Sequence, residues 1–239
     1  MTEPVLRRRG GAGEAGWRAE GAGTRWCTLR AASVVGVRHR LAGAGSDDYF
    51  AWSVGEEALM LAVADGIGSV EGSAAAARRV AEAAVTAGDR RAAIVQANEA
   101  AEGGGTSTLV AAAVFATGRF ELMRVGDSTA FLLSPEGPPE ELFPGPDPDR
   151  ADAATPGLPA DDPTVEEAAG QLSPGSVLVL ATDGVADPWR DGPTTVAPAL
   201  QAELLARPSP PRLLEVIDFS RLGCHDDRTL TCVWLSGDG

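Results

Sequence analysis

The sequence contains no lysine; its 20 basic residues are all arginine. That absence excludes phosphate-loop ATPases and protein kinases, which contact phosphates through a lysine, and it excludes Schiff-base chemistry. Histidine is nearly as scarce. With only His39 and His225, neither an HExxH site nor a three-histidine zinc site can be built. The 3 cysteines, Cys27, Cys224 and Cys232, are odd in number and lack CxxC spacing. They argue against a disulfide frame or a zinc ribbon and for buried thiols in a reducing compartment. No apolar run has the length of a membrane span, and no apolar segment of signal-peptide type follows the charged N-terminus. The expectation is a cytoplasmic protein with no membrane contact. Basic charge is also in deficit: 34 acidic against 20 basic residues leave a net charge of −14, the wrong sign for nucleic acid.

Aspartate is what the chain has in plenty, and an oxygen-only ligand set selects a hard cation, Mg or Mn, over zinc. Two stretches carry these carboxylates in matched settings. Leu59 to Ser69, LMLAVADGIGS, and Val177 to Val185, VLVLATDGV, are apolar runs that each break at Asp-Gly. One copy alone is a common turn. With both strands side by side, Asp65 and Asp183 would emerge at one sheet edge, where two unpaired carboxylates repel unless a cation sits between them.

The length of 239 residues fits one domain. Residues 1–25, rich in Gly, Ala and Arg without periodicity, read as a mobile tail, with Arg7 to Arg9 as a solvated charge run. The folded domain spans 26–237. It opens with a strand from Trp26 to Val37 and a turn-rich loop that delivers Asp47 and Asp48. A hairpin follows, Tyr49 to Val54 and Ala58 to Ala64. Ser73 to Ala87 and Arg90 to Glu102 read as helices, the first with Ala77, Val80, Ala81, Ala84 and Val85 on one face. Ser107 to Phe115, Phe120 to Val125 and Thr129 to Leu133 read as an antiparallel meander. The segment 135–170 is dense in Pro, Gly and Asp and reads as a flap or insert. Helices over Thr195 to Ala206 and Pro211 to Arg221 precede a closing strand, Thr229 to Leu235, with Leu230, Cys232 and Trp234 on one face.

Carboxylates at the turns beside apolar strands form a set: Asp48, Asp65, Asp127, Asp183 and the pair Asp226-Asp227. In order and spacing these segments resemble the metal-dependent protein phosphatases of type 2C. SDDYFAW is similar to the family's acidic pair and strand, ADGIGS to its Asp-Gly-x-Gly turn, and GGGTST to its Gly-Thr-Thr strand entry. VGDSTAFLL is similar to the Val-Gly-Asp-Ser-Arg-Ala strand, ATDGVADPW to the Ser-Asp-Gly turn, and HDDRTLTCVW to the Asp-Asn-x-Thr closing strand. The resemblance runs from Ser33 to Leu235 and is nearest to the compact bacterial branch.

The resemblance implies an α+β fold, a four-layer α-β-β-α sandwich of two mainly antiparallel sheets flanked by helices. It implies hydrolysis of phosphoserine and phosphothreonine in proteins, opposing a bacterial Ser/Thr kinase, by a monomer. It also implies two Mg or Mn ions. Asp65 would bridge them, Gly66 would serve one through its carbonyl, Asp183 and Asp226 would hold the other, and Asp48 would reach its ion directly or through water. Asp127 and Asp187 could serve a weaker third ion. Asp65, Asp183 and Asp226 are thereby the catalytic set, with a water between the two cations as nucleophile.

Departures from the family pattern are specific. Ile67 stands where some members carry a general-acid His, Asp227 takes the place of an Asn, and Asp47 that of a Glu, Gln or Asn. The phosphate-binding Arg has two candidate counterparts, Arg38 and Arg40. Three rivals follow. A pseudophosphatase that binds phosphoproteins would keep the fold without turnover, and a metallohydrolase of small phosphoesters would keep the site with another substrate. A serine hydrolase built on Gly126-Asp127-Ser128 would need an Asp three residues before His225, where Leu222 stands. His39 and His225 are candidates for orienting ligand carboxylates.

Overall fold

The central strands are continuous apolar runs because both of their faces are covered. In the computed structural model, which describes residues 6–10, 16–56, 58–68, 72–87, 89–143, 155–190, 196–219 and 225–236, Leu59, Leu61 and Val63 point into one core while Ala62 and Ala64 point into another. All five belong to β5 (Ala58–Asp65), in the middle of the first sheet. That sheet has the order β1 (Leu6–Gly10), β4 (Asp48–Val54), β5, β6 (Leu109–Phe115), β7 (Arg119–Val125) and β10 (Glu166–Gln171). The second runs β2 (Trp17–Gly23), β3 (Cys27–Val34), β12 (Arg228–Leu235), β11 (Val177–Ala181), β8 (Thr129–Leu133) and β9 (Glu140–Glu141). Neighbours in both sheets are antiparallel.

The sheets pack face to face over Leu29, Phe50, Trp52, Phe120, Leu122, Leu178 and Leu180. Outside the first sheet lie α2 (Ser73–Ala84) and α3 (Arg90–Ala101). Alanines on both sides of this layer, Ala62, Ala64 and Ala111 against Ala77, Ala81 and Ala84, let helix and sheet approach closely. Outside the second sheet lie α4 (Asp183–Arg190), α5 (Val196–Leu205) and α6 (Pro210–Ile217), with Trp234, Cys232 and Leu230 beneath them. This is the α-β-β-α sandwich expected from the sequence. Both described thiols, Cys27 and Cys232, are buried and unbridged; Cys224 and Ser69 lie outside the described residues.

Five expectations are corrected. Leu6–Gly10 and Trp17–Gly23 are not a tail; they pair with Val54 to Phe50 and Val34 to Thr28, respectively. Edge strands such as the Arg-rich LRRRG and the Gly/Ala-rich WRAEGAG are held by their backbone ladders, so apolar periodicity does not reveal them. The two Asp-Gly strands are not neighbours in one sheet, since β5 and β11 belong to opposite sheets. The meander breaks after its second strand: β8 crosses to the second sheet, and the Gly126-Asp127 turn is the crossover. The described parts of segment 135–170 are no free flap, because Leu158 is fully buried and exchanges backbone bonds with Ser107 at 2.8 and 2.9 Å. Finally, the loop after β3 contains a short helix, α1 (Val37–Ala42), and the Asp183 turn opens into α4, which Gly184 and Pro188 disguise as a loop. No described helix is long and apolar enough to cross a membrane.

Candidate active site

Strand ends from both sheets converge on one cleft of about 330 Å³. Asp65 terminates β5 there, held on both sides of its peptide. Its N–H donates to Thr108 Oγ1 at 3.0 Å, and its carbonyl accepts from the Thr108 N–H at 2.8 Å and from Ser107 Oγ at 2.9 Å. The next residue must be glycine: a Cβ on Gly66 would fall 2.7 Å from the Ser73 backbone. Ser73 Oγ in turn donates to the carbonyls of Ile67 and Gly68, locking the Asp-Gly turn to the start of α2. Asp183 opens α4 immediately beyond β11, Asp127 sits in the crossover between the sheets, and Asp226 precedes β12. All four carboxylates line the cleft with Gly66, and Arg38 stands on its wall.

Their electrostatics are those of a crowded anionic site. Asp65 is held well above the usual carboxylate range, first by burial and then by the charges of Asp183, Asp226 and Asp127. Asp183 is pushed up to about 7 by burial and by Asp127, Asp226 and Asp187, although the Gly184 N–H bonded to it acts in the opposite direction. The N-terminus of α4 should favour an anion, so crowding and desolvation outweigh it here. Asp48 lies opposite Asp65 in the β4–β5 register and is only 2% exposed. Burial and the charges of Asp65, Asp227 and Asp183 hold Asp48, too, well above the usual carboxylate range.

The candidate residues separate cleanly. Asp65, Gly66, Asp127, Asp183, Asp226 and Arg38 meet at the cleft. Asp48 lies behind Asp65, away from the lining, and accepts a bond from Thr182 Oγ1 at 2.8 Å. Arg40 faces away toward Asp218 at 3.4 Å, lining a different hollow with Trp17 and Leu214. Asp187 is half exposed and 3.7 Å from Arg190. His39 lines the cleft, whereas His225 is exposed beside Asp226.

Three contributors had no usable sequence signal. Thr155, from the Pro-rich segment, lines the cleft and donates to Asp127 Oδ2 at 3.1 Å. Arg190 donates to the Asp127 carbonyl at 3.1 Å and to Glu141 at 2.7 Å, fixing the crossover turn from below. Thr182 links the sheets: its hydroxyl donates to Asp48 on the first and accepts the Thr229 N–H at 3.1 Å on the second. Thr182→Val should therefore leave a buried carboxylate and a buried N–H each short of a partner, costing about 1–3 kcal/mol, while Thr182→Ser keeps most of that. Urea unfolding of the two variants checks this.

The donor set suits a hard divalent cation. It is all oxygen, it carries more negative charge than its surroundings neutralise, and it sits at fixed strand ends. Among the described residues no three acidic, His or Cys side chains already converge as a closed ligand cage. An open rim of carboxylates of this kind fits Mg-type ions, which keep several waters and need few protein ligands.

Comparison with known proteins gives a partial family match and a shared fold. Residues 35–102 match the family model described as protein phosphatase 2C. RsbX, solved in complex with magnesium, superposes with a TM-score of 0.67 at 16% identity, covering 92% of this chain and 100% of its own. The Mycobacterium tuberculosis serine/threonine phosphatase PstP superposes with a TM-score of 0.63 at 24% identity, covering 88% and 99%. A PstP catalytic domain with 2 manganese ions gives 0.55 at 22%, covering 97% and 99%. No curated protein sequence matches the chain significantly. The family model thus matches one stretch of the chain, and the chain as a whole shares the fold of these solved phosphatases.

Proposed function

We propose that the chain hydrolyses phosphoserine and phosphothreonine in proteins with the aid of two Mg or Mn ions, in opposition to a Ser/Thr kinase. The observation that carries this reading is the single cleft in which Asp65, Gly66, Asp127, Asp183 and Asp226 meet with an arginine on the wall. So many carboxylates repel a phosphate dianion, so the cleft receives its substrate only when that charge is countered. Divalent cations supply this when bound, and with it an activated water for in-line attack on phosphorus.

The chain's own residues do the rest. Asp65, at the centre of the set, would serve both ions; Asp183 and Asp226 would hold one from the second sheet, and Asp48, opposite Asp65 in the register, would reach its ion directly or through water. Asp127, steadied by Thr155 and Arg190, would take a weaker third ion. Arg38 would fork onto the phosphoryl oxygens. Ile67 has no proton to give, so this position takes no part in leaving-group protonation.

The test is hydrolysis of p-nitrophenyl phosphate and of a phosphothreonine peptide with Mn, with Mg and with chelator. Turnover that needs metal and is lost in Asp183→Asn is the expected result. Metal binding without turnover of either substrate would favour a pseudophosphatase or another phosphoester. In the same assay Arg38→Gln should raise KM roughly tenfold, as expected for a lost charge-assisted contact, and Arg40→Gln should leave it unchanged.

A further inference from the structure

The helix that carries Arg38 buries none of its side chains: α1 contributes nothing to any apolar core, and Leu41 is 85% exposed. Hydrophobic packing therefore cannot fix where Arg38 stands. A polar strap does so instead. Asp227, 2% exposed, receives the Gly36 N–H on Oδ1 at 2.6 Å, and on Oδ2 it receives the Asp47 N–H at 2.7 Å and His39 Nδ1 at 2.9 Å. The Arg38 N–H adds a bond to the His225 carbonyl at 3.2 Å. Gly36 permits this approach, because a Cβ there would lie 2.4 Å from the His225 carbonyl oxygen. Among the described ties of α1, His39 Nε2 also lies 3.7 Å from Asp47 Oδ2, while Arg40 to Asp218 joins two half-exposed groups and is worth little.

Asp227 thus faces donors from both ends of the segment and from its middle. Such a site accepts only: an asparagine would aim its NH2 at a backbone N–H or at His39 whichever way it turned. The carboxylate at this position, where the resemblance led to an expectation of Asn, is matched to His39 and to the two amides. We infer that Asp227, with His39, is a positioning residue for substrate binding: it holds the Gly36–Asp47 segment so that Arg38 stays on the cleft wall. This rests on Arg38 being the phosphate contact.

The experiment compares wild type, Asp227→Asn, Arg38→Gln and the double variant, at saturating Mn, for KM and kcat on p-nitrophenyl phosphate. Backbone amide exchange over 36–47 is measured in parallel. Asp227→Asn should raise KM roughly tenfold with kcat within about twofold, speed exchange at Gly36 and Asp47, and add nothing to Arg38→Gln in the double variant. A lowered kcat at unchanged KM, or additive effects of the two substitutions, would overturn the inference. Should Asp227→Asn not fold, His39→Leu removes one donor only and should raise KM by about threefold in the same manner; an unchanged KM overturns it. If wild type turns over no substrate, the proposed activity fails by itself, and the exchange arm still decides the strap: unchanged protection at Gly36 and Asp47 would refute it.

Discussion

Asp65→Asn lowers phosphatase turnover by roughly 10³-fold or more while making the metal-free fold more stable at neutral pH. The two effects come from one cause. Asp65 is the carboxylate on which the charges of Asp183, Asp226 and Asp127 all act, and burial adds to them. Removing its charge relieves that repulsion when no cation is present, and it removes the carboxylate proposed to serve both ions. A variant that lost activity through misfolding would melt lower, whereas this one melts higher in chelator. Thermal melts alongside p-nitrophenyl phosphate assays separate the cases. Full turnover by Asp65→Asn at saturating Mn would rule out its placement at the centre of the site.

The metal-free protein loses stability as pH rises from about 4 to above 7, and Mn reverses the trend. Asp183 has an ordinary value of 3.8 and stands at about 7 in the folded chain, with Asp48 and Asp65 displaced in the same direction. The folded state therefore binds more protons than the unfolded chain across that window. Stability present below the unfolded value is lost as pH rises through the folded one. For Asp183 alone the loss is on the order of 4 kcal/mol, which corresponds to roughly 8–16 °C in melting temperature for a domain of this size, and Asp48 and Asp65 act in the same direction. Melting curves at pH 5 and pH 7.5, in chelator and in Mn, read it directly. Mn binds the ionised carboxylates, so it should raise the melting temperature most at pH 7.5. A metal-free melting temperature that climbs between pH 5 and pH 7.5 would contradict these carboxylates as the dominant strain.

Much of this site was legible because its residues sit where local sequence is loudest, at breaks between apolar runs and Asp-Gly turns. Asp65, Asp127, Asp183 and Asp226 were found that way, and so was the sandwich built from fully apolar strands. What stayed hidden lacks a local signature. Whether β5 and β11 share a sheet or face one another depends on long-range pairing, which the same apolar pattern permits in either case. Arg38 and Arg40 are equivalent on paper; the two-residue offset around α1 sends one to the cleft and the other to Asp218. Thr155 lies in a segment whose composition suggests a flap, and Leu158, three residues on, is the anchor that ties it to Ser107. Asp227 looked like an anomalous neighbour of Asp226, and only the donors gathered around it explain its charge.

The most direct measurement is a calorimetric titration of Mn into chelator-treated protein, wild type beside Asp183→Asn. The structure predicts saturable binding to the wild type that weakens by at least about tenfold in the variant, because the cleft loses one of its carboxylates at the mouth of the second sheet. Equal binding by the two proteins, or none by either, would contradict a cation site built from these aspartates.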